Sequence, residues 1–320
     1  MDHIEGIESL NLILTTSSAE MDALSTAGCR SLISAVQGQP GLVKFSYISS
    51  NSWPLRSCAA DISPHDPGPN SSTVRIAVLD SSFNPPTLAH LALASSPYPS
   101  YESNSLDIQY DARLLLLSVR NADKTIKAGD AKYEQRLEMM HLLAQALQSD
   151  FSTNNVAVAV IDEPTFVRKS SALLRVIRER LLSLQMSSPT IELTFLVGFD
   201  TLERLFAPRY YPDASEEAMF AALHKWLNIQ AEGGEGAKVV CAYRISEHEQ
   251  SKVQKALPAA EIFVQAGRIS YISLPLDIVK LSSSEVRRLS SSGDDNWRRM
   301  VPSSIAKYVM EYKLYSCDVI

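Results

Sequence analysis

From residue 73 onward, short apolar runs alternate with longer amphipathic segments, and this alternation constrains the fold more than any other feature of the chain. Short runs that are apolar throughout are typical of strands buried on both faces, and the longer segments are typical of helices. Regular alternation of the two favours right-handed βαβ crossovers and a parallel sheet. The predicted strands lie at residues 74–79, 113–119, 156–161, 191–197, 238–243 and 269–274. The sequence therefore predicts a doubly wound α/β sheet with its ligand site at the carboxyl ends of the strands.

The residues before this region have a different organisation. Helical spacing of apolar residues predicts a helix at 20–36, and an apolar run predicts a strand at 42–48. Residues 61–72 are rich in Pro, Ser and Asp, a composition that is typical of a linker. We therefore divide the chain into an N-terminal extension, residues 1–72, and an α/β domain, residues 73–320. The extension either completes an edge of the sheet or forms a surface for a partner.

The composition excludes several classes of protein. The chain has 30 Lys and Arg against 36 Asp and Glu, a formal net charge of −6. A net negative charge disfavours general attraction to nucleic acid or to an anionic membrane. No C-x-x-C, H-E-x-x-H or P-loop pattern occurs, so we expect no protein metal site and no disulfide framework. The acidic start and the lack of a long apolar run favour a cytoplasmic or nuclear location.

The first predicted strand runs into a segment that suits phosphate binding. Asn84 is predicted to cap a helix whose first turn holds Pro85 and Pro86. Thr87 and His90 would then share a face near the helix N-terminus, where free N–H groups favour anions. Taken alone, a capped helix with a partly buried histidine explains the same residues.

The last predicted strand is followed by a comparable segment. A serine cluster, residues 282–284, precedes a charged amphipathic run and predicts the start of a helix. Ser283 and Arg287 are four residues apart, so they would face the same way, and the guanidinium could bind two phosphate oxygens. An ordinary cap followed by a solvated arginine is the alternative.

Together, these two segments resemble the signatures of the nicotinamide mononucleotide adenylyltransferase family. The run from Ser82 to His90, S-F-N-P-P-T-x-x-H, is similar to the family's G-x-F-x-P-x-[HT]-x-x-H, and L-S-S-S-x-x-R at 281–287 is similar to I-S-S-T-x-x-R. The resemblance covers roughly residues 73–315 and implies a Rossmann-like nucleotidyltransferase fold. The family's glycine falls at Ser81, where a serine fits if its φ is negative.

The resemblance implies a set of ATP-binding residues. His90 and Arg287 would be catalytic, His90 donating to the α- or β-phosphate and Arg287 binding the β- and γ-phosphates. The ATP-binding residues implied by the two motifs are Ser81, Ser82, Phe83, Thr87, His90, Ser283, Ser284 and Arg287.

Weaker matches point to the acceptor. Gly198 and Asp200 look like the family's G-x-D element, although Asp200 could instead cap a helix at 201–206. Trp226 is either a stacking platform or part of the core. The expected acceptor-binding residues are Asn84, Lys124, Gly198, Asp200, Trp226 and Arg244. In addition, residues 164–170 resemble a helix start of the family, in which the Ser170 hydroxyl is predicted to cap the helix.

The implied reaction is adenylyl transfer from ATP to nicotinamide mononucleotide, giving NAD and pyrophosphate, with Mg²⁺ bound to ATP. Nicotinic acid mononucleotide or phosphopantetheine is the alternative acceptor. A nucleotide-binding module with little turnover is the alternative from another class. The expected partners are therefore ATP and a mononucleotide, and the oligomeric state stays open.

Overall fold

The computed structural model describes residues 25–56, 73–99, 108–120, 127, 129–151, 155–186, 189–243 and 257–316. Within these ranges, seven strands form one sheet in the order β1-β4-β3-β2-β5-β6-β7. The strands are β1 (Val43–Ile48), β2 (Thr73–Asp80), β3 (Ala112–Ser118), β4 (Val156–Ile161), β5 (Thr190–Gly198), β6 (Lys238–Tyr243) and β7 (Ile269–Ser273). Each coincides with a predicted strand to within a residue or so, which confirms the interpretation of the apolar runs.

From β2 to β7, helices lie between successive strands, as the alternating pattern predicts; one described helix precedes β1 and three follow β7. They are α1 (Thr26–Val36), α2 (Leu88–Ala94), α3 (Tyr133–Phe151), α4 (Phe166–Ser183), α5 (Phe199–Leu205), α6 (Glu216–Leu227), α7 (Glu261–Gln265), α8 (Leu276–Val279), α9 (Ser283–Ser291) and α10 (Ser303–Glu311). Among the described helices, none has both the length and the apolar character needed to cross a membrane.

The direction in which successive strands are added to the sheet reverses once, in the middle of the sheet. Strands β2 to β7 run parallel to one another, and successive crossovers build outward from β2 to β3 and β4 on one side. On the other side, β5 pairs with β2 and is followed by β6 and β7. The sheet is therefore doubly wound, and the direction changes between β2 and β5. A crevice forms at such a point, outside the carboxyl ends of the two strands.

Two apolar layers bury the sheet. Helices α1, α2, α3, α9 and α10 supply buried side chains to a cluster on one face. Helices α4, α5, α6 and α7 supply those of the other face. Strand β4 is buried at every position, because both of its faces are covered. The crevice between β2 and β5 is therefore flanked by α2 and α9 on one side and by α4 and α5 on the other.

The helix and strand of the N-terminal extension pack on the α/β body. Strand β1 pairs antiparallel with β4, with Val43 opposite Ile161, and covers that edge of the sheet. Trp53 has no exposed surface and contacts Phe45, with ring centroids 5.1 Å apart. On the other face, the Ser46 hydroxyl lies 2.9 Å from Nε2 of His141 in α3. Strand β4 thereby has a partner on both sides, and β1 becomes the outermost strand at this end of the sheet.

Candidate active site

His90 lies at the N-terminus of α2, immediately beside the end of β2. Its Nδ1 atom accepts hydrogen bonds from the Thr87 N–H (3.1 Å) and from the Thr87 hydroxyl (2.8 Å). Because Nδ1 is an acceptor, the hydrogen-bond network assigns the ring proton to Nε2. That atom lies 3.0 Å from the Ser81 hydroxyl oxygen. The ring therefore presents an N–H donor toward the carboxyl end of β2.

The loop between β2 and α2 is fixed through the Asn84 side chain. The Asn84 amide donates to Asp130 (2.8 Å), and its oxygen accepts from the Ala131 N–H (3.1 Å) and from the Tyr315 hydroxyl (2.9 Å). The predicted cap at Asn84 is therefore wrong, because these contacts occupy its side chain. Helix α2 begins at Leu88 with Thr87 as its N-cap, and Pro85 and Pro86 precede it. Asn84 is 4% exposed, so it supports the loop and leaves little surface for an acceptor.

The second signature segment packs directly on the first. Helix α9 begins as predicted, with Ser282 at its N-cap accepting from the Glu285 N–H. The Ser283 hydroxyl donates to the Pro85 carbonyl (2.8 Å). Arg287 donates through Nη1 to the Asn84 carbonyl (2.7 Å). Ser283 and Arg287 therefore share a face, and the two segments form one site.

Asp130 holds the guanidinium of Arg287 in place. Its carboxylate lies 3.4 Å from Nε of Arg287 and 3.7 Å from Arg136. Burial works to raise the pKa of Asp130, but hydrogen bonds from the Lys127 N–H and Asn84 act against it together with the charges of Arg287 and Arg136, and the net pKa lies below its ordinary value. The carboxylate is therefore ionised at neutral pH and balances the charge of Arg287.

A cavity lies on the other side of the β2 end. Its wall includes Asp80, Ser81 and Ser82 from β2 and the loop after it, together with residues 164–167 and 169 around the start of α4. Residues 201, 204 and 205 of α5 and two tyrosines, Tyr210 and Tyr211, complete it. Ser81 thus belongs both to the cavity and to the hydrogen-bond network of His90. A ligand in the cavity would lie next to a ligand bound by His90 and Arg287.

Curated relatives match most of the chain. A Schizosaccharomyces pombe protein whose assigned name is nicotinamide mononucleotide adenylyltransferase is 28% identical over 251 residues, 75% of this chain and 86% of the relative. A Geotalea daltonii protein whose assigned name is nicotinate-nucleotide adenylyltransferase is 24% identical over 260 residues, 76% of this chain and 99% of the relative. Over about three quarters of its length, the chain is therefore similar to proteins that bear nicotinamide mononucleotide and nicotinate-nucleotide adenylyltransferase names.

No family model matches the chain. Among solved structures, it is similar to the Plasmodium falciparum nicotinic acid mononucleotide adenylyltransferase complexed with NaAD, with a TM-score of 0.45 and 16% identity. That similarity covers 76% of this chain and 97% of the other.

Ser81, where the family has a glycine, is accommodated by the backbone. In the described ranges, the residues other than glycine that adopt positive φ include the nearby Phe83 (φ 44°), and Ser81 is not among them. The conformation that a serine needs at this position is therefore present. What the serine adds is its hydroxyl, which lies against His90.

Three predicted ligand contacts need correction, because burial removes the side chains from any ligand. Phe83 has no exposed surface, and its ring packs on that of His90 with centroids 5.5 Å apart. Thr87 is also fully buried, and its hydroxyl acts through His90. Trp226 lies in the core against Phe166 and Phe195, without an exposed face on which a ring could stack.

The other acceptor-side predictions differ in outcome. Gly198 is the N-cap of α5 and Asp200 lies exposed in its first turn, so Asp200 does not cap that helix. Both lie at the end of β5, beside the crevice. Lys124 and Arg244 lie outside the described residues. Ser170 is buried inside α4, whose N-cap is Thr165, so the predicted Ser170 cap is wrong.

Several residues of the site carry no local sequence signal. Asp130 and Tyr315 contact the first signature from positions far along the chain. Lys169 and Arg204 contribute positive charge to the cavity wall. The sequence does place Lys169 near the start of a helix and Asp80 at the end of an apolar strand. Without the strand order, however, it does not predict that these two residues are partners.

Proposed function

We propose that this protein transfers the adenylyl group of ATP to the phosphate of nicotinamide mononucleotide, forming the dinucleotide and pyrophosphate. The observation that carries the proposal is the contact between the two signatures, in which Ser283 and Arg287 bind the Pro85 and Asn84 carbonyls beside His90. Two phosphate-binding segments brought together at a strand end suit a nucleoside triphosphate. The adjoining cavity suits a second, smaller nucleotide.

The reaction requires no nucleophile from the protein. An oxygen of the acceptor phosphate attacks the α-phosphorus of ATP in line, and the bond to the β-phosphate oxygen breaks as pyrophosphate leaves with the electron pair. His90 donates its Nε2–H to an α- or β-phosphate oxygen. Arg287 stabilises the negative charge that grows on the leaving phosphates. The remaining contribution is position, because the cavity and the ATP-binding segments meet at Ser81.

Divalent metal fits this site as a partner of ATP. In the described part of the chain, no three His, Cys, Asp or Glu side chains come together as a protein cage. We expect Mg²⁺ to take its ligands from phosphate oxygens and water, and it would lower the negative charge of the phosphates. The N–H groups near Ser82 and Ser284 would bind the remaining phosphate oxygens.

Nicotinic acid mononucleotide is the second candidate acceptor. Lys169 and Arg204 outnumber Asp80 in the cavity wall, so the wall carries a net positive charge. A positive wall favours an acceptor with an additional carboxylate. The relative from Geotalea daltonii bears a nicotinate-nucleotide name.

The test is formation of dinucleotide from ATP, Mg²⁺ and either mononucleotide. We expect product from the wild type and a fall in kcat of at least about 100-fold in His90→Ala, since the donor to the phosphate is lost. His224→Ala is the matched control, because His224 is an exposed histidine on α6. Absence of product with both acceptors would refute the proposed function, and a near-normal rate in His90→Ala would remove His90 from the mechanism.

A further inference from the structure

A buried ion pair lies in the wall of the cavity. The Lys169 ammonium, from α4, is 2.5 Å from a carboxylate oxygen of Asp80, at the end of β2. Their side chains are 6% and 7% exposed, and both residues line the cavity. The pair joins the two elements that meet beside Ser81.

Such a pair is not explained by stability. Removing two charges from water costs several kcal/mol per ion, and buried pairs are often replaced by apolar residues without loss of stability. The surrounding core is apolar on this face, with Phe195 and Trp226 nearby in the same cluster. Two apolar residues at positions 80 and 169 would serve the stability of this core equally well. We therefore expect the two charged side chains to take part in binding a ligand.

The ammonium group has donors to offer a ligand. An ammonium carries three N–H donors, and among the described residues its hydrogen-bond acceptor is Asp80. The Phe166 ring centroid lies 5.1 Å from the nitrogen and covers another side. Lys169 therefore sits at the cavity wall, oriented by a carboxylate and an aromatic ring, with hydrogen-bonding capacity left over.

The rest of the lining indicates what the ligand is. Hydroxyl groups of Ser118, Thr165 and Thr201 accompany the ammonium, and these groups suit ribose or phosphate oxygens. Tyr210 and Tyr211 provide aromatic surface. The combination fits a small anionic nucleotide better than an apolar molecule, because an apolar ligand would leave the charges unsolvated.

We propose that Lys169 binds an anionic oxygen of the mononucleotide acceptor, and that Asp80 holds its ammonium in position. This inference rests on the proposed adenylyl transfer, since it assigns the acceptor to the cavity. The anionic oxygen belongs to the acceptor's phosphate or to a carboxylate on its pyridine ring.

Kinetics of Lys169→Met, Asp80→Asn and the double variant test this assignment. We expect Lys169→Met to raise the KM of the acceptor at least about tenfold while the KM of ATP changes less than twofold. Asp80→Asn should raise the acceptor KM by a smaller factor, because the ammonium remains but loses the carboxylate that positions it. The double variant should behave as Lys169→Met does.

A purely structural pair gives a different pattern. Both single variants would then lose stability and activity alike, since each leaves an uncompensated buried charge, and the double variant would recover both. That recovery, or an unchanged acceptor KM in Lys169→Met, would overturn the proposal. Where Lys169→Met alone fails to fold, the double variant carries the same test, because it has no unpaired charge.

Two acceptors distinguish the two anionic groups. A rise in KM for both nicotinamide and nicotinic acid mononucleotide assigns Lys169 to the phosphate, and a rise only for the nicotinic acid form assigns it to the carboxylate. The change in melting temperature that each mononucleotide produces without ATP measures acceptor binding separately from catalysis. If a mononucleotide raises the melting temperature of the wild type but no product forms, the proposed function is refuted and the inference is not. If the mononucleotide raises the melting temperature of the wild type and of Lys169→Met equally, the inference is refuted and the proposed function is not.

Discussion

Removing the Ser81 hydroxyl should strengthen ATP binding. The Nε2–H of His90 is the donor that we assign to a phosphate of ATP, and it is already hydrogen-bonded to Ser81 at 3.0 Å. A nucleotide must displace this bond before His90 can bind it. A neutral hydrogen bond of this kind contributes about 1 kcal/mol net, which corresponds to roughly a fivefold change in an equilibrium constant.

Ser81→Ala and Ser81→Gly separate the two parts of the side chain. If the hydroxyl competes with ATP, both variants should lower the KM of ATP by about fivefold, since both free the imidazole. If the Cβ atom obstructs the nucleotide, only Ser81→Gly should do so. Initial rates of dinucleotide formation across a range of ATP concentrations, at saturating acceptor, give the constant directly.

Ser118→Ala is the matched control for these variants. The Ser118 hydroxyl also lines the cavity, but it donates to the Glu163 carbonyl at 2.6 Å. Its KM for ATP should change less than twofold. A higher KM for ATP in Ser81→Ala would refute the reasoning, because it would mean that the hydroxyl binds the nucleotide or orients His90 productively.

Three further predictions follow from contacts around the site and the sheet edge. Asp130→Asn should raise the KM of ATP about fivefold, because Arg287 loses the carboxylate 3.4 Å away that orients it; an unchanged KM would show that the Asn84 carbonyl suffices. Burial lowers the pKa of His141 to about 4, below the ordinary 6.5, so the stability that depends on its neutral form is present above pH 6.5 and is lost as the pH falls toward 4. The free energy of unfolding measured in urea should therefore fall between pH 7 and pH 5, and this fall should be about 2 kcal/mol larger in the wild type than in His141→Gln. A fall of equal size in both proteins would contradict burial of His141 as the cause. Deletion of residues 1–72 removes β1 and Trp53 from the edge and the core, so we expect loss of the folded state by circular dichroism, and a folded, active fragment would contradict it.

The strands were predictable because their pattern is local. Each parallel strand is apolar over its whole length, and β4, buried at every position, shows why: two helical layers cover it. Short sequence motifs also predicted the start of α9 and the position of His90 near a helix N-terminus. In these segments the residues that decide the conformation are neighbours in sequence.

The contacts that complete the site were not predictable in this way. Asn84 was predicted to cap a helix because the two prolines that follow it suit a first helical turn. In the structure, its side chain instead forms hydrogen bonds with Asp130 and Tyr315, which lie far away in the sequence. The spacing of Trp226 could not separate a stacking platform from core packing, and only the fold places Phe166 and Phe195 beside it. The pairing of Lys169 with Asp80 depends on the order of strands in the sheet, which no local pattern contains.

The hydrogen bond from Tyr315 to Asn84 has a consequence for the order in which the protein matures. Strand β2 and the Asn84 loop leave the ribosome long before Tyr315, which is 7% exposed in the finished fold. During synthesis, the hydrogen bond from Tyr315 to the Asn84 side chain can therefore form only after α10 and the tyrosine that follows it have been made. A chain truncated before Tyr315 should therefore bind ATP more weakly than the full chain, since it lacks this contact with the loop to which we assign phosphate binding.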